Sequence, residues 1–172
     1  MTFRRLLAFL SSFVFSSLLA NAEPLKVGDK APDATALSHL GQKFNLAEAY
    51  RKSEYTLVYF FPKADTPGCT KQGCSLRDAY AELTKLKVSV IGVSIDSVEA
   101  QKAFLDKYHL PFVLLADTEH KVIDAFGVPR IPVAGFAKRQ AFLIKGGTIV
   151  WADYSASTDK QAEDVIKVVR GN

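Results

Sequence analysis

Three features of the sequence predict an α/β fold built on one mixed β-sheet. Short apolar runs of strand length alternate with longer stretches whose apolar residues recur at helical spacing. The runs are rich in β-branched and aromatic residues, which fit a pleated and buried surface. Two runs near the C-terminal end flank Gly146-Gly147 and read as a hairpin, so part of the sheet is antiparallel.

Taken in order, residues 23–32 form a polar lead-in containing Pro24 and Pro32. Residues 56–61 (TLVYFF) are apolar apart from Thr56, as in a central strand covered on both faces, and Pro62 ends them. Thr66-Pro67 then opens a helix, with Thr as N-cap and Pro at the first helical position. Its apolar positions Leu76, Tyr80 and Leu83 repeat at helical spacing, and Lys85 and Lys87 suit its C-terminal end. Val88–Ser94 (VSVIGVS) is a second buried strand and residues 112–115 a short third. Between them, Asp96-Ser97-Val98-Glu99 resembles a capping box for a helix that must end before Pro111. Residues 140–144 and 148–152 are the hairpin strands. Thr158 with Gln161 is expected to open the last helix. Ala162, Val165, Ile166 and Val169 give that helix one apolar face, with Gly171 just past its end.

The chain of 172 residues, 48% of them hydrophobic, is sized for one domain with a substantial core. Residues 1–5 are basic, residues 6–20 are apolar and uncharged, and Ala20-Asn21-Ala22 fits a signal-peptidase site. A cleaved signal peptide over 1–22 is therefore expected, followed by a single domain over 23–172 in a periplasmic or secreted protein. The rival is an uncleaved anchor, but the apolar run falls short of the roughly 20 residues a spanning helix needs. No later stretch could span a bilayer, so no stable membrane insertion is expected after cleavage. The formal net charge is +4, with Arg4 and Arg5 in the leader, too little to argue for nucleic acid as a partner.

The two cysteines, Cys69 and Cys74, carry the chemical interest. In an exported chain they could form a structural disulfide, though so short a loop would stabilise little. Their C-x4-C spacing is not the C-x-x-C of a disulfide oxidoreductase. A zinc site would need two more ligands, and His39, His109 and His120 are scattered, so no metal or cofactor is expected. With Thr66 as N-cap, Cys69 is the third helical residue, where free N–H groups and the helix dipole favour a thiolate. On position alone, Cys69 is equally readable as a reactive nucleophile or as an inert buried thiol.

The pattern Pro62-x-x-x-Thr66-x-x-Cys69 resembles the active-site motif of the peroxiredoxins. The run Thr66-Pro-Gly-Cys-Thr70 with Cys74 is similar to their peroxiredoxin Q branch, also called bacterioferritin comigratory protein. The resemblance extends through Gly28-x-x-Ala31-Pro32, Phe126-Gly127-Val128 and Arg139-Gln-Ala-Phe-Leu143. It implies a thioredoxin-like fold and a thiol peroxidase acting on hydrogen peroxide and organic hydroperoxides. Cys69 would then be the peroxidatic thiolate, oxidised to a sulfenic acid, and Cys74 the resolving thiol that closes an intramolecular disulfide. Thr66 would offer its hydroxyl to sulfur and peroxide. Arg139 would stabilise the thiolate and the charge on the breaking O–O bond. Pro62 would shield the site. Arg130 and Lys138 lie close by, and only the resemblance singles out Arg139. It further implies a thioredoxin-like reductant, and with both cysteines on one chain a monomer suffices. A rival class is an exported thioredoxin-like binding or thiol–disulfide exchange domain with a non-peroxidatic disulfide. The binding domain predicts equivalent behaviour of the two cysteines, and the exchange domain would prefer the absent C-x-x-C.

Overall fold

In a computed structural model, residues 23–171 are described; the expected signal peptide lies outside them. In chain order the elements are β1 (Thr35–Ser38), β2 (Lys43–Asn45), α1 (Leu46–Tyr50), β3 (Tyr55–Phe60), α2 (Pro67–Asp78), α3 (Tyr80–Lys85) and β4 (Val88–Ser94). There follow α4 (Val98–Tyr108), β5 (Val113–Ala116), α5 (Lys121–Ala125), β6 (Gln140–Lys145), β7 (Thr148–Asp153) and α6 (Gln161–Gly171). The seven strands form one sheet in the order β2-β1-β5-β4-β3-β6-β7. β3, β4 and β5 run parallel, while β6 and β7 on one side and β1 and β2 on the other attach antiparallel. The expected mixed sheet flanked by helices is what the chain forms.

β3 is its central strand, and all six of its residues are buried. Tyr55, Leu57 and Tyr59, together with Phe61 beyond the strand, enter a cluster with Leu76, Leu83, Phe104 and Val165 of α2, α3, α4 and α6. Val58 and Phe60 enter a second cluster with Leu46, Val122 and Ile123 of α1 and α5. Helices on both faces explain why the run is continuously apolar rather than alternating. A Cβ at Gly92 of β4 would lie 2.7 Å from both Leu114 and the Tyr59 phenol. The missing side chain there is the space Tyr59 occupies.

Several boundaries differ from expectation, each for a local reason. The helix after Thr66 breaks at Ala79, whose φ of −91° and ψ of 1° leave the helical region. The break lets Leu83 remain fully buried while Tyr80 packs against Phe112 at 6.0 Å between ring centroids. Lys87 consequently lies beyond any helix, at a φ of 57°. Ser97, not Asp96, caps α4 by accepting from the Ala100 N–H at 3.3 Å. Asp96 is drawn off by the Ala64 N–H and the Ser94 hydroxyl, at 2.8 and 2.7 Å. Thr158 does not open the last helix. Ser157 accepts from the N–H groups of Asp159 and Lys160, and this turn delays α6 to Gln161. Gly171 belongs to α6 instead of following it. The short β1, β2, α1 and α5 are elements that the periodicity of the sequence did not announce.

Candidate active site

The site lies where β3 ends and α2 begins, at the carboxyl edge of the parallel strands, the position at which open α/β sheets hold ligands. The connecting loop is held from both sides. Ala64 N–H donates to Asp96 at the start of α4. Asp65, at a φ of 57°, accepts from Lys107 at 2.8 and 2.9 Å and from the Tyr108 hydroxyl at 2.6 Å. These hydrogen bonds hold the Asp65 carboxyl below the usual carboxylate range. The strained φ at Asp65 therefore has a carboxylate anchor to maintain it.

Thr66 is the backbone N-cap of α2, with Pro67 at N1 and Cys69 at the third helical position, as expected. Thr70 N–H makes the first helical bond, to the Thr66 carbonyl at 2.8 Å. The N–H groups of Gly68 and Cys69 thus precede the helical ladder, and no acidic residue in the first turn offsets their positive field. The Thr66 hydroxyl departs from expectation. Its single proton goes to the Lys63 carbonyl at 2.9 Å, so it neither caps the helix nor donates to sulfur. Its oxygen keeps lone pairs with which to accept a hydrogen bond from a ligand.

Cys69 is 2% exposed, and Arg139 Nη2 donates to its Sγ at 3.4 Å. Arg139 sits just before β6, the strand paired with β3, which is how a residue distant in sequence reaches the α2 start. Of the three nearby cations, Arg139 is the one on the sulfur. Arg130 pairs with Asp124, and Lys138 is exposed. A Cβ on Gly68 would come within 3.2 Å of Arg139 Nη2, so the glycine admits the guanidinium. Tyr59 is buried beneath the site, and burial, reinforced by Cys69, pushes its phenol far above its usual range. It therefore stays a neutral floor.

The structure adds two residues that the sequence reading missed. Gln72, fully buried one turn after Cys69, accepts from Arg139 Nη1 and donates through Nε2 to Gln161 Oε1 at 2.7 Å. The i, i+3 spacing from Cys69 was the available signal for Gln72. Gln161 had none, because its place depends on how α6 packs on α2. Lys71 and Ser75 also tie α2 to Asp159, at 2.9 and 3.1 Å.

Cys74 lies further along the same unbroken helix, half-buried and beside the Arg77 guanidinium. Both cysteines are free thiols. Five residues of α-helix rise about 7.5 Å and rotate the side chain by roughly 140°, so the two thiols are not presented to each other. The expected pairing is therefore not formed in this conformation. The histidines are dispersed: His39 accepts from Leu114 N–H, His109 ends α4 and His120 precedes α5. Among the described residues no group of three or more His, Cys, Asp or Glu is placed to hold a metal. A cavity of about 370 Å³ lined by His39, Phe44, Lys52, Tyr80 and Phe112 includes none of Thr66, Cys69, Gln72, Cys74, Arg139 and Gln161.

Residues 27–152 match the AhpC/TSA family. The chain is 46% identical to the peroxiredoxin Bcp of Escherichia coli K12 over 105 residues, 61% of this chain and 66% of that protein. It is 34% identical to the chloroplastic peroxiredoxin Q of Sedum lineare over 145 residues, 83% of this chain and 77% of that one. Among solved structures, the peroxidoxin BcpB of Mycobacterium tuberculosis superposes with a TM-score of 0.79 at 28% identity, covering 86% of this chain and 97% of that one. The thioredoxin-like fold is thereby established.

Proposed function

From the premise that this chain belongs to the AhpC/TSA family, as a thiol peroxidase of the Bcp and peroxiredoxin Q branch, we propose that Cys69 is its peroxidatic thiolate and Cys74 its resolving thiol. The observation that carries this assignment is the asymmetry of the two sulfurs. Cys69 alone lies at the start of α2 with Arg139 Nη2 3.4 Å away. The helix start and the guanidinium both favour the ionised sulfur, which is the nucleophile.

In the proposed reaction the Cys69 thiolate attacks the distal oxygen of a hydroperoxide. An S–O bond forms, the O–O bond breaks, and the leaving alkoxide or hydroxide takes a proton from solvent. Arg139 and the free N–H groups of Gly68 and Cys69 stabilise the charge on the parting oxygens. Thr66 can accept a hydrogen bond from the peroxide O–H, since its own proton is committed to Lys63. The product is a Cys69 sulfenic acid. Cys74 then attacks the Cys69 sulfur as a thiolate, the S–O bond breaks, the leaving hydroxide takes a proton from solvent to become water, and a disulfide closes. A dithiol reductant of thioredoxin type returns both thiols. Hydrogen peroxide and organic hydroperoxides share the bond that breaks, so both fall within the substrate class. One chain carries both cysteines, Thr66 and Arg139, so a monomer suffices for oxidation and closure.

Closure requires movement. A disulfide needs Cα atoms within about 7 Å, whereas positions 69 and 74 of an intact helix are about 8–9 Å apart. The first turns of α2 therefore unwind between oxidation and closure. We further propose that residues 1–22 direct export and are removed, leaving the 23–172 domain as the mature periplasmic or secreted protein. Sequencing the N-terminus of protein recovered outside the cytoplasm tests this, and a retained residue 1 refutes it.

Mass spectrometry after one equivalent of peroxide tests the assignment of the cysteines. The Cys74→Ser protein is expected to gain one oxygen on Cys69, and the Cys69→Ser protein to remain unoxidised. The opposite pattern reverses the roles, and equal inertness removes the peroxidase reading of this site.

A further inference from the structure

A buried chain of polar groups runs from Cys69 to the first residue of α6. Arg139 donates through Nη2 to the Cys69 sulfur and through Nη1 to Gln72 Oε1. Gln72 Nε2 donates in turn to Gln161 Oε1 at 2.7 Å. Both glutamines are 0% exposed. Gln161 Nε2 is buried and has no partner among the described residues.

The direction of this chain is dictated by chemistry. A guanidinium only donates, so Gln72 must turn its carbonyl oxygen toward Arg139 and its NH2 group away. Away from Arg139 means toward α6, where a buried NH2 group needs an acceptor. Gln161 Oε1 is that acceptor. Without it, the Gln72 NH2 group would be buried with no acceptor, and Arg139 alone would hold the amide against rotating off the guanidinium.

We propose that Gln161 is a positioning residue for the peroxidatic centre: it holds the Gln72 carbonyl on Arg139, and hence Arg139 on Cys69, while latching α2 to α6. The inference rests on the reading of Cys69 as the peroxidatic thiolate. Lys71–Asp159 ties the same two regions, but those side chains are 59% and 50% exposed and water competes for them. The amide pair is the buried part of the tie. It must part when the first turns of α2 unwind, and the orphaned Nε2 of Gln161 then gains water. The latch is thereby kept weaker than a fully satisfied pair, and the helix can open.

Gln161 therefore acts on the two half-reactions with opposite sign. Gln161→Met keeps the length and removes the acceptor. It is expected to shift the Cys69 alkylation profile toward higher pH and to slow peroxide consumption by about fivefold, the worth of one net hydrogen bond. Disulfide closure should accelerate by about the same factor. In a Gln72→Met background, adding Gln161→Met should change neither rate, because the path between the two sites is already cut. Gln161→Asn retains an amide but withdraws it by one C–C bond, about 1.5 Å. It is expected to reproduce Gln161→Met and serves where that protein does not fold. Both rates falling together, equal shifts in both backgrounds, or no shift in either variant overturns the proposal. If wild-type Cys69 alkylates at neutral pH no faster than a free thiol, the reading of Cys69 falls and takes the proposal with it. If the wild type is fast and the Gln161 variants match it, the proposal alone falls.

Discussion

Gly73→Ala separates the two half-reactions most cleanly, because it strengthens α2 without reaching Cys69 or Arg139. Gly73 is buried in the interior of α2, immediately before Cys74. A Cβ built there would meet Leu110 and Phe104 at 3.5 Å, ordinary van der Waals contact that displaces nothing. Glycine in a helix interior costs about 1 kcal/mol relative to alanine, and a newly buried methyl adds up to about 0.8 kcal/mol. The folded helix is thus stabilised by about 1–1.8 kcal/mol. If unwinding must precede closure, the open population and the closure rate fall together, by about fivefold to twentyfold. Stopped-flow fluorescence of Trp151, the single tryptophan, follows the reaction after a peroxide pulse. The fast oxidation of Cys69 is expected to be unchanged and the slower closure retarded by that factor. Over-oxidised Cys69, counted by mass spectrometry, should rise in proportion. A variant with raised thermal stability but an unaltered closure rate would refute the unwinding step. So would equal hydrogen-exchange protection of amides 69–76 in the reduced and oxidised proteins.

Two further outcomes follow from named contacts. Arg139→Ala is expected to slow peroxide reduction by about tenfold to thousandfold, the range set by removing one close opposite charge. Arg139→Lys should recover only part, because one ammonium cannot serve both Cys69 and Gln72 as the guanidinium fork does; stopped-flow peroxide consumption checks both. Lys71, with help from Ser157, holds the Asp159 carboxyl down to about 2, below its ordinary 3.8. A lowered folded-state value means that the pair's contribution is complete above the ordinary value and is lost as pH falls through about 2. The thermal stability difference between wild type and Lys71→Ala should therefore be present at neutral pH and vanish across that acid window, as scanning calorimetry would register.

The legible parts of this protein were those encoded locally. The bounds of β4 were read without error, and β3 and β6 to within a residue at each end, because a strand covered on both faces must be apolar throughout. The start of α2 was equally legible, since Thr66-Pro67 fixes backbone conformation over two adjacent residues. The same information placed Cys69 at the third helical position. Elements of three to five residues such as β2, α1 and α5 carry too few positions for a period to emerge. The break at Ala79 has no sequence marker, as alanine is a good helix former; it follows from the need to bury Leu83.

The sequence by itself determined the mixed sheet, the candidate reactive segment and the candidate quartet of Thr66, Cys69, Cys74 and Arg139. Each of these is a matter of residue type, near-neighbour spacing or motif. Tertiary structure decided what the side chains do to one another. It committed the Thr66 proton to Lys63, anchored Asp65 on α4, and put the Arg139 fork across both Cys69 and Gln72. It also brought Gln161 onto Gln72 across 89 residues of chain. Hydrogen bonds of this kind require elements far apart in sequence to be placed to within a few tenths of an ångström. Those placements are fixed only when the helices have packed on the sheet.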